Sequence, residues 1–81
     1  MPKILYKLYN IEDNGGIFKL NVWKNGNHVD GDLYINDYND AVKLAEENDA
    51  DEIEATIWYS KDDYDRQKEP DKYVIIHTFA R

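Results

Sequence analysis

KILYKLYNIEDNGGIFKLNVWKNGNHV, residues 3–29, decides how this chain is read. Two Asn-Gly pairs, Asn14-Gly15 and Asn25-Gly26, stand between runs in which apolar and polar residues alternate. Asn-Gly supplies the positive φ angles that tight hairpin turns require. Ile4, Tyr6 and Leu8 then share one face of a first strand, and Phe18, Leu20 and Val22 one face of a second. Val29, Leu33 and Ile35 do the same for a third, so a three-stranded meander is expected over residues 3–35.

Beyond it the period changes. Tyr38, Ala41, Val42 and Ala45 recur at helical spacing with Leu44 beside them, which predicts one helix over residues 38–47. Asp37 is placed to cap it, Asp40 puts an acid in its first turn, and Asn48 tolerates the left-handed conformation that ends a helix. Ile53, Ala55, Ile57 and Tyr59 alternate with Glu52, Glu54, Thr56 and Trp58, a strand with one apolar and one mixed face. Residues 73–79 are apolar at nearly every position and predict a strand inside the sheet, covered on both faces. Residues 60–71 between these strands read as a long polar loop closed by Glu69-Pro70. The expected fold is α+β, βββαββ, a mainly antiparallel sheet with one helix packed on one face and a single domain over residues 1–81.

The 81 residues carry 17 Asp and Glu against 10 Lys and Arg, a net charge of -7. The absence of cysteine excludes a disulfide scaffold and Cys-based metal or redox chemistry, and favours an intracellular, cytoplasmic setting. No apolar run approaches the roughly 18 residues of a membrane span, and the opening MPKILYK lacks the apolar stretch of a signal peptide. The charge is uneven: residues 1–29 sum to +2, residues 30–71 to -11 and residues 72–81 to +2. Glu46, Glu47, Asp49, Asp51, Glu52 and Glu54 place six carboxylates in nine residues without a base.

Such a cluster either solvates a surface and keeps strand edges apart, or forms a docking face for a basic partner. Eleven aromatic residues are more than so small a core needs, which favours the second reading. Trp58 points outward beside Glu52 and Glu54, or else lies in a second small apolar patch beneath the long loop. Tyr64 stands in that loop among Asp62, Asp63 and Asp65. Carboxylates at alternate strand positions stand about 6.6 Å apart, twice the roughly 3.4 Å phosphate spacing of one DNA strand, so an acidic strand can imitate a nucleic-acid backbone.

Catalytic signatures are missing. Ser60 is the only serine, and His28 and His77 are isolated, one after a tight turn and one in an apolar strand. DADEIE begins D-x-D, but Glu54 stands where an EF-hand loop needs glycine, so no metal site is expected. Gly15-Gly16 reads as a hairpin turn and not as a phosphate loop. Direct nucleic-acid binding is opposed by the sign of the charge, Lys3, Lys7, Lys19 and Lys24 offering at most a local patch.

The short acidic chain, its Tyr-rich sheet and single helix resemble in type the small proteins that bacteriophages encode to block host enzymes: anti-CRISPR proteins, antirestriction proteins and the inhibitor of uracil-DNA glycosylase. No motif of those families is matched, so no residue role is carried over. The resemblance implies an inhibitor whose acidic face occupies the nucleic-acid groove of a basic protein. The expectation is a non-enzymatic, cofactor-free binding module. Its docking face would comprise Glu46, Glu47, Asp49, Asp51, Glu52, Glu54, Trp58, Asp62, Asp63, Tyr64 and Asp65. The alternative is a structural or assembly protein that homodimerises through its sheet.

Overall fold

The computed structural model describes residues 3–31 and 33–79, with side chains from residue 7 onward. Helix α1 (Lys3–Asp13) comes first, followed by β1 (Ile17–Lys24), β2 (Asn27–His28), α2 (Tyr38–Glu47), β3 (Glu52–Trp58), α3 (Lys61–Asp65) and β4 (Lys72–Thr78). The fold is α+β, with a four-stranded antiparallel sheet in the order β2-β1-β3-β4. None of the described helices is long and apolar enough to cross a membrane.

The largest correction concerns residues 3–13, expected as a strand and found as a helix. Ile4, Leu8 and Ile11 lie at i, i+4 and i+7, so the segment carries a helical period as well as an alternating one. Burial decides between them. Leu8 is buried in the core, Ile11 packs against it, and Tyr9 meets Phe18 edge to face at 5.7 Å. The side chains of Ile4 and Tyr6, on which the strand reading rested, lie outside the described residues.

Asn14-Gly15-Gly16 accordingly ends a helix and does not turn a hairpin. Gly15 takes φ +90, the Gly15 N–H donates to the Glu12 carbonyl at 3.2 Å and the Gly16 N–H to the Ile11 carbonyl at 2.8 Å. This is the paired bonding of a Schellman motif. Gly16 is required for a second reason, because a Cβ there would stand 2.6 Å from Ile11 Cγ2 and 2.7 Å from the Trp58 carbonyl.

Asn25-Gly26 does make the expected hairpin, with both φ angles positive (50 and 79) between Lys24 and Asn27. The third expected strand shrinks to two residues. Gly31, after Asp30, takes φ +93, and only Ile35 returns to the sheet, exchanging backbone hydrogen bonds with Leu20 at 2.6 and 3.1 Å. Helix α2 spans the expected residues, and the Asp37 carboxylate accepts from the Asn39 and Asp40 N–H groups. The left-handed residue after it is Asp49 (φ 53), not Asn48.

Two helices, not one, cover the same face of the sheet. Leu8 of α1 and Ala41 and Ala45 of α2 enclose Phe18, Leu20, Val22, Ile53, Ala55 and Ile57. Strand β4 is an edge and not the buried centre that its apolar run suggests. A register shift at Ile53/Glu54 leaves Ile76 unpaired, so Val74, Ile76 and Phe79 pack against the core while Tyr73 (60%) and Ile75 (46%) stay exposed. The long loop contains α3 and is tied at both ends: the Lys61 N–H donates to the Gly15 carbonyl and the Asp71 N–H to the Ile57 carbonyl, each at 2.8 Å.

Candidate functional site

The face of the sheet turned away from α1 and α2 is made by the residues that alternate with the core. On β1 these are Lys19, Asn21 and Trp23, on β3 Glu54, Thr56 and Trp58, and on β4 Tyr73. Pairing sets Lys19 and Tyr73 on either side of Thr56, and Asn21 opposite Glu54. They line a groove of about 520 Å³.

Each end of the groove has an aromatic wall. At the hairpin end Trp23 packs on His28 with ring centroids 4.1 Å apart, and His28 meets Tyr34 edge to face at 5.8 Å. At the other end Trp58 meets Tyr64 of α3 at 5.0 Å, with Pro70 and Tyr73 alongside. Trp23 pairs with Glu52 and Ile17 with Trp58, so the two tryptophans stand six strand positions, roughly 20 Å, apart. The charge between them is polarised. Lys19 Nζ lies 5.4 Å from the centroid of the Tyr64 ring at the α3 end, whereas Glu54 and Glu52 occupy the hairpin end.

Polar atoms lie beneath this surface. Asn21 is 2% exposed, and its Nδ2 donates to Thr56 Oγ1 at 2.5 Å. Asn21 Oδ1, Glu54 Oε1 and Trp23 Nε1 are buried without a hydrogen-bond partner among the described residues. Each such atom costs about 1–3 kcal/mol. The other tryptophan is satisfied, Trp58 Nε1 donating to the Lys68 carbonyl at 2.9 Å.

The residues expected to form one acidic face fall into three places. Glu46 and Glu47 end α2, Asp49 follows it and Glu52 opens β3, all at the hairpin end of the sheet. Asp51 joins them in a structural position: its N–H donates to the Trp23 carbonyl at 2.8 Å, and its carboxylate accepts from the Asn25 N–H. Asp62, Asp63 and Asp65 lie on α3, beyond the far end of β3 and about 20 Å along the strand. Asp63 there pairs with Lys68 at 3.5 Å. Glu54, Trp58 and Tyr64 belong to the groove between the two acidic ends. Trp58 is 8% exposed and lies under the α3 segment, the second of its two sequence-level alternatives.

Asn21, Trp23, Tyr34, Thr56 and Tyr73 are groove residues that sequence reasoning did not select. The signal was present in β1, where Lys19, Asn21 and Trp23 alternate with Phe18, Leu20 and Val22 as regularly as the two faces of β3 do. His77 faces the opposite side, against Tyr38 and Phe79. No group of three or more His, Asp or Glu side chains that could hold a metal ion occurs among the described residues. Comparisons with protein-family models, curated proteins and solved structures find no match to this chain.

Proposed function

We propose that this protein is a non-enzymatic binding module that docks on a basic protein, in the manner of an inhibitor of a nucleic-acid-handling enzyme. The observation that carries the reading is that acids and aromatic rings share one end of the sheet. Glu46 and Glu47 close α2 there on the helix-covered side, Glu52 opens β3 opposite Trp23, and Glu54 and Trp23 line the groove on the other face. Carboxylates steer a basic partner over about 8–10 Å, while aromatic rings supply contact area once it arrives.

The test is capture of partners from lysate on immobilised protein at low and high salt, followed by titration of the purified partner. A basic protein released by salt, bound at least about tenfold more weakly by the E46Q/E47Q/E52Q variant, is the expected result. Affinity indifferent to both salt and these substitutions would remove the docking face. Asp51 is left intact because its carboxylate holds the hairpin.

A second reading, self-association through the sheet, is favoured by the position of β4. Its outer edge offers seven residues of strand with Tyr73 and Ile75 exposed, a geometry suited to pairing with another copy. Sedimentation separates the readings: a salt-insensitive dimer that I75K dissociates supports this one, and a monomer at micromolar concentration rejects it.

A further inference from the structure

We infer that the groove is a recognition site for an arginine side chain presented by an extended segment of a basic protein. This rests on the docking reading above and specifies its chemistry. Two acceptors without donors among the described residues, Asn21 Oδ1 and Glu54 Oε1, belong to residues directly opposite one another on neighbouring strands. One of them is a carboxylate. A guanidinium is planar, always charged and carries five N–H donors and no acceptor, so it complements such a pair; each hydroxyl of a sugar brings one donor and two acceptor lone pairs and no charge.

The surroundings point the same way. Trp23 and Tyr34 supply aromatic surface for a stacked cation, and Glu52 lies opposite Trp23 across the sheet. The ammonium of Lys19 is held at the other end of the groove against Tyr64, away from Glu54. The indole N–H of Trp23, itself without an acceptor among the described residues, is matched by a backbone carbonyl of the bound segment. Because the three atoms are buried, the guanidinium enters between side chains, with a rotation of the half-exposed Glu54.

The two tryptophans make the test self-controlled. Titration with the peptide acetyl-Gly-Gly-Arg-Gly-Gly-amide is followed by the indole N–H resonances in a ¹⁵N spectrum. The Trp23 indole should shift saturably while that of Trp58, already bonded to the Lys68 carbonyl, moves little. The citrulline peptide, equal in shape but uncharged, should bind at least about tenfold more weakly, and E54Q should lose a similar factor toward the arginine peptide. K19Q should tighten binding by roughly two- to fivefold by removing a like charge. An unchanged melting temperature for E54Q shows that the fold is intact; if it falls, citrulline against arginine on the native protein still decides. The inference is overturned if the Trp23 indole does not respond, if citrulline serves as well as arginine, or if chitohexaose shifts that resonance and the arginine peptide does not. Salt-dependent capture of a basic protein surviving such a result would sink only the arginine site, whereas loss of both would sink the docking reading as well.

Discussion

The two faces of this sheet are built by the same strands and differ in how far their groups are satisfied. On the side of α1 and α2, Phe18, Leu20, Val22, Ile53, Ala55 and Ile57 are enclosed by apolar neighbours. One residue along each strand, the chain places a buried Asn21–Thr56 hydrogen bond, a carboxylate and two tryptophans, and leaves Asn21 Oδ1, Glu54 Oε1 and Trp23 Nε1 without partners among the described residues. Apolar side chains fill the first face, whereas the second carries three of the four buried polar atoms without partners among the described residues, the kind of local departure from folding that the proposed binding role would explain.

The largest effect should come from the enclosed face. Phe18→Ala removes a fully buried ring at the centre of the core and should cost about 3–5 kcal/mol, most of the stability of so small a domain. Urea unfolding measures it, and a loss below about 1 kcal/mol would show that this face is not the structural one.

Next is Gly16→Ala, where α1 meets the end of β3. Its Cβ would press on Ile11 Cγ2 and on the Trp58 carbonyl, and a loss of about 1–3 kcal/mol is expected. Urea unfolding followed by helix and by strand signals should show that α1 and β3 unfold together. A fully tolerated alanine would mean that the junction is loose and that α1 is no part of the core.

The smallest change in stability should come from the groove, and there its sign carries the information. Replacing Asn21 and Thr56 together by Leu and Val removes a hydrogen bond along with an unpartnered oxygen, and should leave stability unchanged or raise it by about 1 kcal/mol. Binding of the arginine peptide should be lost in the same variant. A destabilisation above about 2 kcal/mol would make the polar floor a structural device and erase the contrast between the faces.

How much of this was legible depended on whether a segment carried one pattern or two. Helix α2 was read with its Asp37 cap and its limits, because its period and its N-terminal signal agree. The β1–β2 turn and the alternation of β3 were equally plain. Residues 3–13 fit both a strand and a helix, and Asn-Gly serves a Schellman cap as well as a hairpin. In β4 an extra residue, Ile76, broke the alternation and imitated a strand buried on both sides. The acidic residues at the α2 end, on β3 and on α3 were all named from sequence, yet nothing local shows that a strand of about 20 Å lies between Glu52 and Asp62.

By itself the sequence determined the class: a cysteine-free acidic chain of mixed helix and strand, with its charge massed in the middle and aromatics in excess of the core. Those properties are sums and short-range periods, carried by composition and by neighbours within one turn or one strand. Only the tertiary structure decided that α1 and α2 cover the same face of the sheet, that β4 is an edge, and that Asn21 faces Glu54 between Trp23 and Trp58. These depend on which strand pairs with which and in what register, a choice fixed by long-range burial that no short stretch of chain contains.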